Sequence, residues 1–253
     1  SCRMPASFRT NCFCTMLSVI ENLIGINHLV TSVILVSISC LIGYYFNSKQ
    51  INQILFRLIL LNLSVYYIYL IYSGDFSYQN HLPLHLCYMT ELLIFISLLF
   101  NNKILFSWLF LNSVLGAIVG LINSNLVYSY HFLEYTHYYL SHFNLLLFSI
   151  LAFKSNLALS KKHVLNSVAA NSIIFIIIYN FNNIINSNYW FTASKPIGKN
   201  LSVLFPSWPY YLYLLILFGL TSYYLTFKMM RQRVQKWKKQ FYLTYLFLHL
   251  CLV

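Results

Sequence analysis

Long apolar stretches recur along the chain, separated by short segments where Lys, Asn, Ser, Pro and His gather. A helix rises about 1.5 Å per residue and the bilayer hydrocarbon is about 30 Å thick, so about 20 mostly apolar residues are needed to cross it. Seven stretches meet or approach that length: approximately Ile26 to Phe46, Ile54 to Tyr72, Leu84 to Phe100, Ile104 to Ile122, Tyr138 to Phe153, Val164 to Ile185, and Trp208 to Phe227. The third and fifth are short and carry polar groups. The expected fold class is all-α, a polytopic membrane bundle of about seven transmembrane helices forming one domain over 21–227. A final apolar run, Phe241 to Val253, spans only about 20 Å as a helix and is expected to lie in the bilayer interface, behind a basic juxtamembrane segment that starts at 228.

Composition agrees with this pattern. Hydrophobic residues make up 59% of the 253 positions and charged residues 8%, far below the roughly 25% charged content of soluble domains. The net charge of +12 raises nucleic-acid binding as a question, but the Lys and Arg residues flank apolar spans and form no stripe, so no nucleic-acid partner is expected. Lys228, Arg231, Arg233, Lys236, Lys238 and Lys239 crowd one segment after an apolar run, as an anchor to anionic lipid would.

Distributed over alternating loops, one side receives these six with Lys49, Arg57, Lys103, Lys154, Lys161 and Lys162. The other receives Arg3, Arg9, Lys195 and Lys199. The positive-inside rule then puts the C-terminus on the cytoplasmic side of a bacterial plasma membrane, or on the matrix side of an organellar inner membrane. Glu21, Asp75 and Glu134 fall on the opposite side. Tyr66, Tyr67, Trp208, Tyr210 and Tyr211 near span ends are read as aromatic belts. Gly116 and Gly120 form a small-xxx-small pair that lets a neighbouring helix approach closely.

The cysteines are Cys2, Cys12, Cys14, Cys40, Cys87 and Cys251, and no pair outside the N-terminal tail has the spacing of a disulfide framework or zinc site. No cofactor is expected. Residues 1 to 20, with Arg3 and Arg9 and no acid, are compatible with a targeting remnant, a disordered tail or a misassigned start upstream of Met16.

Ionisable groups inside a membrane are costly and mark candidate sites. The third span opens His81-Leu-Pro-Leu-His85-Leu-Cys87 and continues to Glu91, with Pro83 suited to a first helical turn. Cys87 and Glu91, four apart, share a helix face, whereas His85 is rotated about 200° from Cys87. A base for Cys87 must come from another helix, and the fifth span offers His142. A cysteine paired with a histidine can become a thiolate nucleophile that accepts and passes on an acyl group. The same residues also fit a structural reading in which His85 and His142 hydrogen-bond between helices and Cys87 packs as a small apolar side chain. A metal site built from His81, His85, Glu91 and His142 lacks a ligand motif, and no metal is expected. Lys195, in the loop before the seventh span, is read as a lipid head-group contact or a solvated lysine.

The stretch Leu82-Pro-Leu-His-Leu-Cys87, the pair Ser141-His142, the block Asn188-Tyr189 with Lys195-Pro196, and Trp208-Pro209-Tyr210 resemble, in order and spacing, the YwaF-like family of bacterial polytopic membrane proteins, over roughly His28 to Phe227. Animal relatives of that family include a lipid acyltransferase acting through a cysteine and a histidine. The resemblance implies Cys87 as acyl-accepting nucleophile and His142 as base, with Glu91 and His85 as supporting polar groups and membrane lipids as partners. Two other classes stay open: a non-catalytic membrane subunit with protein partners, for example in a mitochondrial inner-membrane complex, and a small-solute transporter.

Overall fold

The computed structural model describes residues 25–102, 104–124, 131–155, 157–196 and 200–251, with side chains as far as Arg231. The N-terminal tail with Cys2, Cys12 and Cys14, Glu21, Lys103, Lys199 and the basic side chains from Arg233 onward lie outside the described residues, as does the side chain of Cys251.

Among the described residues there are seven α-helices, joined by turns, loops and two short 3-10 turns: α1 Ile26–Tyr45, α2 Ser48–Ser73, α3 Leu86–Leu99, α4 Phe106–Ile122, α5 Phe132–Lys154, α6 Lys161–Ile185 and α7 Tyr210–Cys251. Their ends follow local chemistry. Asn47 and Gln50 form a reciprocal capping box at the start of α2, and Ser160 and His163 form another at the start of α6, each satisfying orphan backbone donors. Gly74, at φ 77°, closes α2 in the left-handed conformation that glycine adopts without steric cost.

Helix direction alternates along the chain. Tyr69 stacks on His131, Tyr66 on His137, and Asn62 bonds Ser141, so α2 runs antiparallel to α5. Tyr88 stacks on His137 and Asn144 bonds Glu91, which makes α3 parallel to α5. Helix α5 packs against α1, α2, α3 and α4 and is the centre of the bundle. That position explains its composition: His137, Ser141, His142 and Asn144 would disfavour a lipid-facing helix, but here they are buried among neighbouring helices.

Among the described residues, four helices are long and apolar enough to cross a membrane: α1, α2, α6 and the Tyr210–Arg231 stretch of α7. Their outward faces are apolar, with Val33, Ile34 and Leu41 on α1 and Ile173, Ile176, Ile177 and Ile184 on α6 exposed, as an integral membrane protein presents to lipid. The core is built from Ile51, Leu55 and Ile59 of α2, Ile94 of α3, Leu109 to Leu111 of α4, and Leu145, Leu147 and Phe148 of α5.

Since lipid is as apolar as leucine, interhelical hydrogen bonds and close packing carry much of the specificity, at about 0.6 kcal/mol per bond on average. Two such networks cross the bundle. Asn62, Glu91, Ser141 and Asn144 join α2, α3 and α5. Trp108 donates to Asn171 Oδ1, while Asn171 Nδ2 donates to Asn112 and Tyr223, joining α4, α6 and α7.

Several expectations change. The fifth helix starts at Phe132, not near Tyr138, because His131 caps it by accepting from the Leu133 N–H. Helix α3 starts at Leu86, so Pro83 lies in the preceding turn and not in the first helical turn; the Leu84 carbonyl is taken by the Trp190 indole instead of by a helical N–H. Tyr66 and Tyr211 are buried core residues and not belt residues, whereas Tyr210 and Trp208 are exposed. The backbone of α7 runs without a break through Cys251.

Candidate functional site

The first turn of α3 is held in place by two loops. Tyr189, buried at 1% exposure, accepts a hydrogen bond from the Leu82 N–H and donates one to the Tyr78 carbonyl. The Trp190 indole donates to the Leu84 carbonyl at 2.7 Å, and the Trp190 N–H donates to His85 Nδ1 at 3.3 Å. Trp190 and Phe191 reach these positions with φ near 58° and 55°, a left-handed conformation that costs a bulky residue energy and persists only where the surroundings enforce it. Here Asn182 does so, donating to the Tyr189 carbonyl and the Thr192 hydroxyl and accepting from the Tyr189 N–H. The result fixes the start of α3 and with it Cys87, its second residue.

Cys87 and His142 meet the same face of α4. A methyl group placed on Gly116 would lie 3.2 Å from Cys87 Sγ and 2.7 Å from Leu145 Cδ1, and one placed on Gly120 would overlap the His142 ring. Positions four apart on a helix are about 6 Å from each other, so the two glycines form a notch that receives the thiol and the imidazole one turn apart. Tyr138 closes the notch by donating its hydroxyl hydrogen to the carbonyls of Gly120 and Asn123. No hydrogen bond joins Cys87 to His142 among the described residues.

The orientation of His142 is set by its neighbour one turn earlier. Nδ1 lies 2.8 Å from the Tyr138 carbonyl; a carbonyl only accepts, so Nδ1 carries the hydrogen and the neutral ring keeps its lone pair on Nε2. Tyr138 flanks the ring with centroids 4.3 Å apart, and Tyr88 approaches it edge-on at 6.5 Å.

The TMEM164 family matches residues 23–227 of the chain. The chain belongs to the TMEM164 family. This is a transmembrane family, and the match covers nearly the same stretch over which the four sequence blocks were read. No curated protein and no solved structure matches the chain.

In this TMEM164-family chain the other expected site residues are dispersed. Glu91 is fully buried one turn below Cys87 and accepts from Asn62 Nδ2 at 2.9 Å and Asn144 Nδ2 at 2.7 Å, so it ties three helices together. His85 stands at the N-cap position of α3, makes no side-chain capping bond there, and packs against Tyr189 and Phe191. His81 accepts from the Ser77 N–H. His81, His85, Glu91 and His142 are thus each engaged separately, and among the described residues no three His, Cys, Asp or Glu side chains converge. The Lys195 ammonium donates to the Phe205 carbonyl.

Sequence reasoning missed His28. It lies on α1 with Nδ1 2.8 Å from the Tyr139 hydroxyl and its ring beside Tyr138. It also missed the Asn62 and Asn144 partners of Glu91. The available signal was the isolated asparagines inside otherwise apolar spans, which need partners in a membrane.

Proposed function

We propose that this TMEM164-family protein is a membrane-embedded lipid acyltransferase or lipid hydrolase of the Cys-His type. The observation that carries this reading is the convergence of Cys87 and His142 on the Gly116 and Gly120 notch, with His142 held in the tautomer whose Nε2 accepts a proton. Catalytic contacts are often looser before substrate binds than in the Michaelis complex, which accommodates the absence of a direct Cys87–His142 bond.

In the proposed reaction, His142 Nε2 takes the proton from the Cys87 thiol as the sulfur attacks the ester carbonyl carbon of a phospholipid. The tetrahedral intermediate collapses, breaking the carbon–oxygen bond to the lysolipid, and the leaving oxygen takes the proton back from His142. A thioester remains on Cys87. A lipid hydroxyl or water then gives its proton to His142 and attacks the thioester, which releases the new ester or free acid and restores the thiol. Tyr88 and Tyr138 line the site, and Lys195, in the loop at the same end, contributes positive charge toward a lipid head group.

The test is turnover of acyl-labelled phospholipid by the purified protein in proteoliposomes. Wild type is expected to release or transfer the label, and Cys87→Ser and His142→Ala to lose it while remaining folded. Equal turnover by wild type and Cys87→Ser contradicts the proposal.

A further inference from the structure

The opposite end of the bundle carries a feature that the Cys-His site leaves unused. A cavity of about 680 Å³ opens between the starts of α4 and α6, the segment that follows α5, and the middle of α3. Its α6 wall is a single helix face, His163, Asn166, Ser167, Ala170 and Ile174, since steps of three, four and seven return to one side of a helix.

Polarity is graded along the α6 wall: His163, Asn166 and Ser167, with Ser107 and Ser155 opposite, give the mouth its polar groups beside the apolar Ile104, Leu105, Phe106 and Leu157, whereas Ala170, Ile174 and Leu93 make the far end wholly apolar. The eleven steps from His163 to Ile174 cover about 16 Å, close to half of the roughly 30 Å hydrocarbon core and therefore to the depth of one leaflet. The polar mouth sits where lipid head groups begin, and the apolar part follows the acyl chains.

Charge at this end is of one sign. Lys161 and Lys162 are exposed beside the mouth. Lys154 is nearby but spends its ammonium on the carbonyls of Gly43 and Phe46. Of the described acidic residues, Asp75 and Glu134 lie at the other end of the bundle and Glu91 in its interior. A polar mouth bearing uncompensated lysines, above an apolar slot one leaflet deep, complements an amphiphile with a negative head.

We propose that this cavity binds one anionic phospholipid, its phosphate at Lys161, Lys162 and His163 and an acyl chain along Ala170, Ile174 and Leu93. The site is separate from the glycine notch, and occupancy does not depend on acyl transfer.

Trp108 lines the cavity and reports on it directly, because bromine on an acyl chain quenches indole fluorescence at short range. The full chain is placed in phosphatidylcholine liposomes containing a small fraction of either brominated phosphatidylglycerol or brominated phosphatidylcholine, and the Trp108 component is taken as the difference from Trp108→Phe. The anionic lipid is expected to quench that component more strongly, and the double variant Lys161→Gln/Lys162→Gln to weaken its apparent affinity on the order of tenfold. Equal quenching by the two lipids, or an anionic preference unchanged in the double variant, overturns the proposal, as does full quenching in Ala170→Phe, which fills the slot. Should Trp108→Phe unfold through loss of its bond to Asn171, native mass spectrometry of phosphatidylglycerol bound to wild type and to the double variant gives the same decision.

Discussion

His142 Nδ1 lies 2.8 Å from the carbonyl oxygen of Tyr138, one turn earlier on α5. This bond does for His142 what a carboxylate does in other nucleophile–base pairs: it fixes the tautomer and aims Nε2. His142→Asn retains an N–H for the Tyr138 carbonyl but removes the Nε2 lone pair. It is expected to fold like wild type and to lose on the order of 10² to 10⁴ in phospholipid turnover. A His142→Asn protein that keeps its turnover would remove the base from the account.

Gly120 is required by contact. Its missing side chain makes room for the His142 ring, whereas Gly219 faces Leu115 Cδ2 at an ordinary 3.7 Å. Gly120→Ala is expected to cost about 1–3 kcal/mol through overpacking, with Gly219→Ala close to neutral. Denaturant unfolding of both variants in the same detergent checks this, and equal stability of the two would mean that α4 shifts at no cost.

Glu91 ties together helices that apolar packing alone would leave less specified. Glu91→Ala strands the Asn144 amide donor and one of the two N–H groups of Asn62, whose other N–H keeps Ser141, at about 1–3 kcal/mol per unsatisfied group. Glu91→Gln keeps an oxygen for both donors and is expected to be the milder variant. Thermal unfolding in detergent separates the two, and identical melting would show that the network does not hold α2, α3 and α5.

The loop before α3 carries a pH dependence. Burial pushes the His81 imidazole below its ordinary value of 6.5, with Glu134 and Asp75 opposing weakly, and the neutral ring accepts from the Ser77 N–H at 2.9 Å. Because the folded value is depressed, the stability held in this contact is present above the ordinary value and is lost as pH falls through the folded one. Protection of the Ser77 amide against hydrogen exchange, corrected for intrinsic rates, is expected to drop in acid. The drop should be absent in His81→Asn; a pH profile unchanged by that substitution points to another group.

Most of the bundle was legible in the sequence, since all the described helices but α3 and α5 follow from apolar length alone. The beginning of α5 was not, because Glu134 and His137 read as loop residues until α5 is known to lie at the bundle centre, where polarity is tolerated. Cys87 and His142 were legible as a pair of residue types on separate helices. Their shared glycine notch was only half visible: Gly116 and Gly120 announced a close approach, but which helices approach depends on an order around the bundle that one chain does not encode locally. The role of Tyr189 and Trp190 in fastening α3 was hidden for a related reason, since the groups they bond before and at the start of α3 lie more than a hundred positions away.

The most direct test of the central claim is the mass of the intact protein after brief incubation with acyl-labelled phospholipid and acid quenching, followed by peptide mapping. The account predicts one acyl group on Cys87, released by neutral hydroxylamine as a thioester and missing from Cys87→Ser. Label on any other residue, or phospholipid turnover by the wild type that does not pass through acylated Cys87, would contradict it.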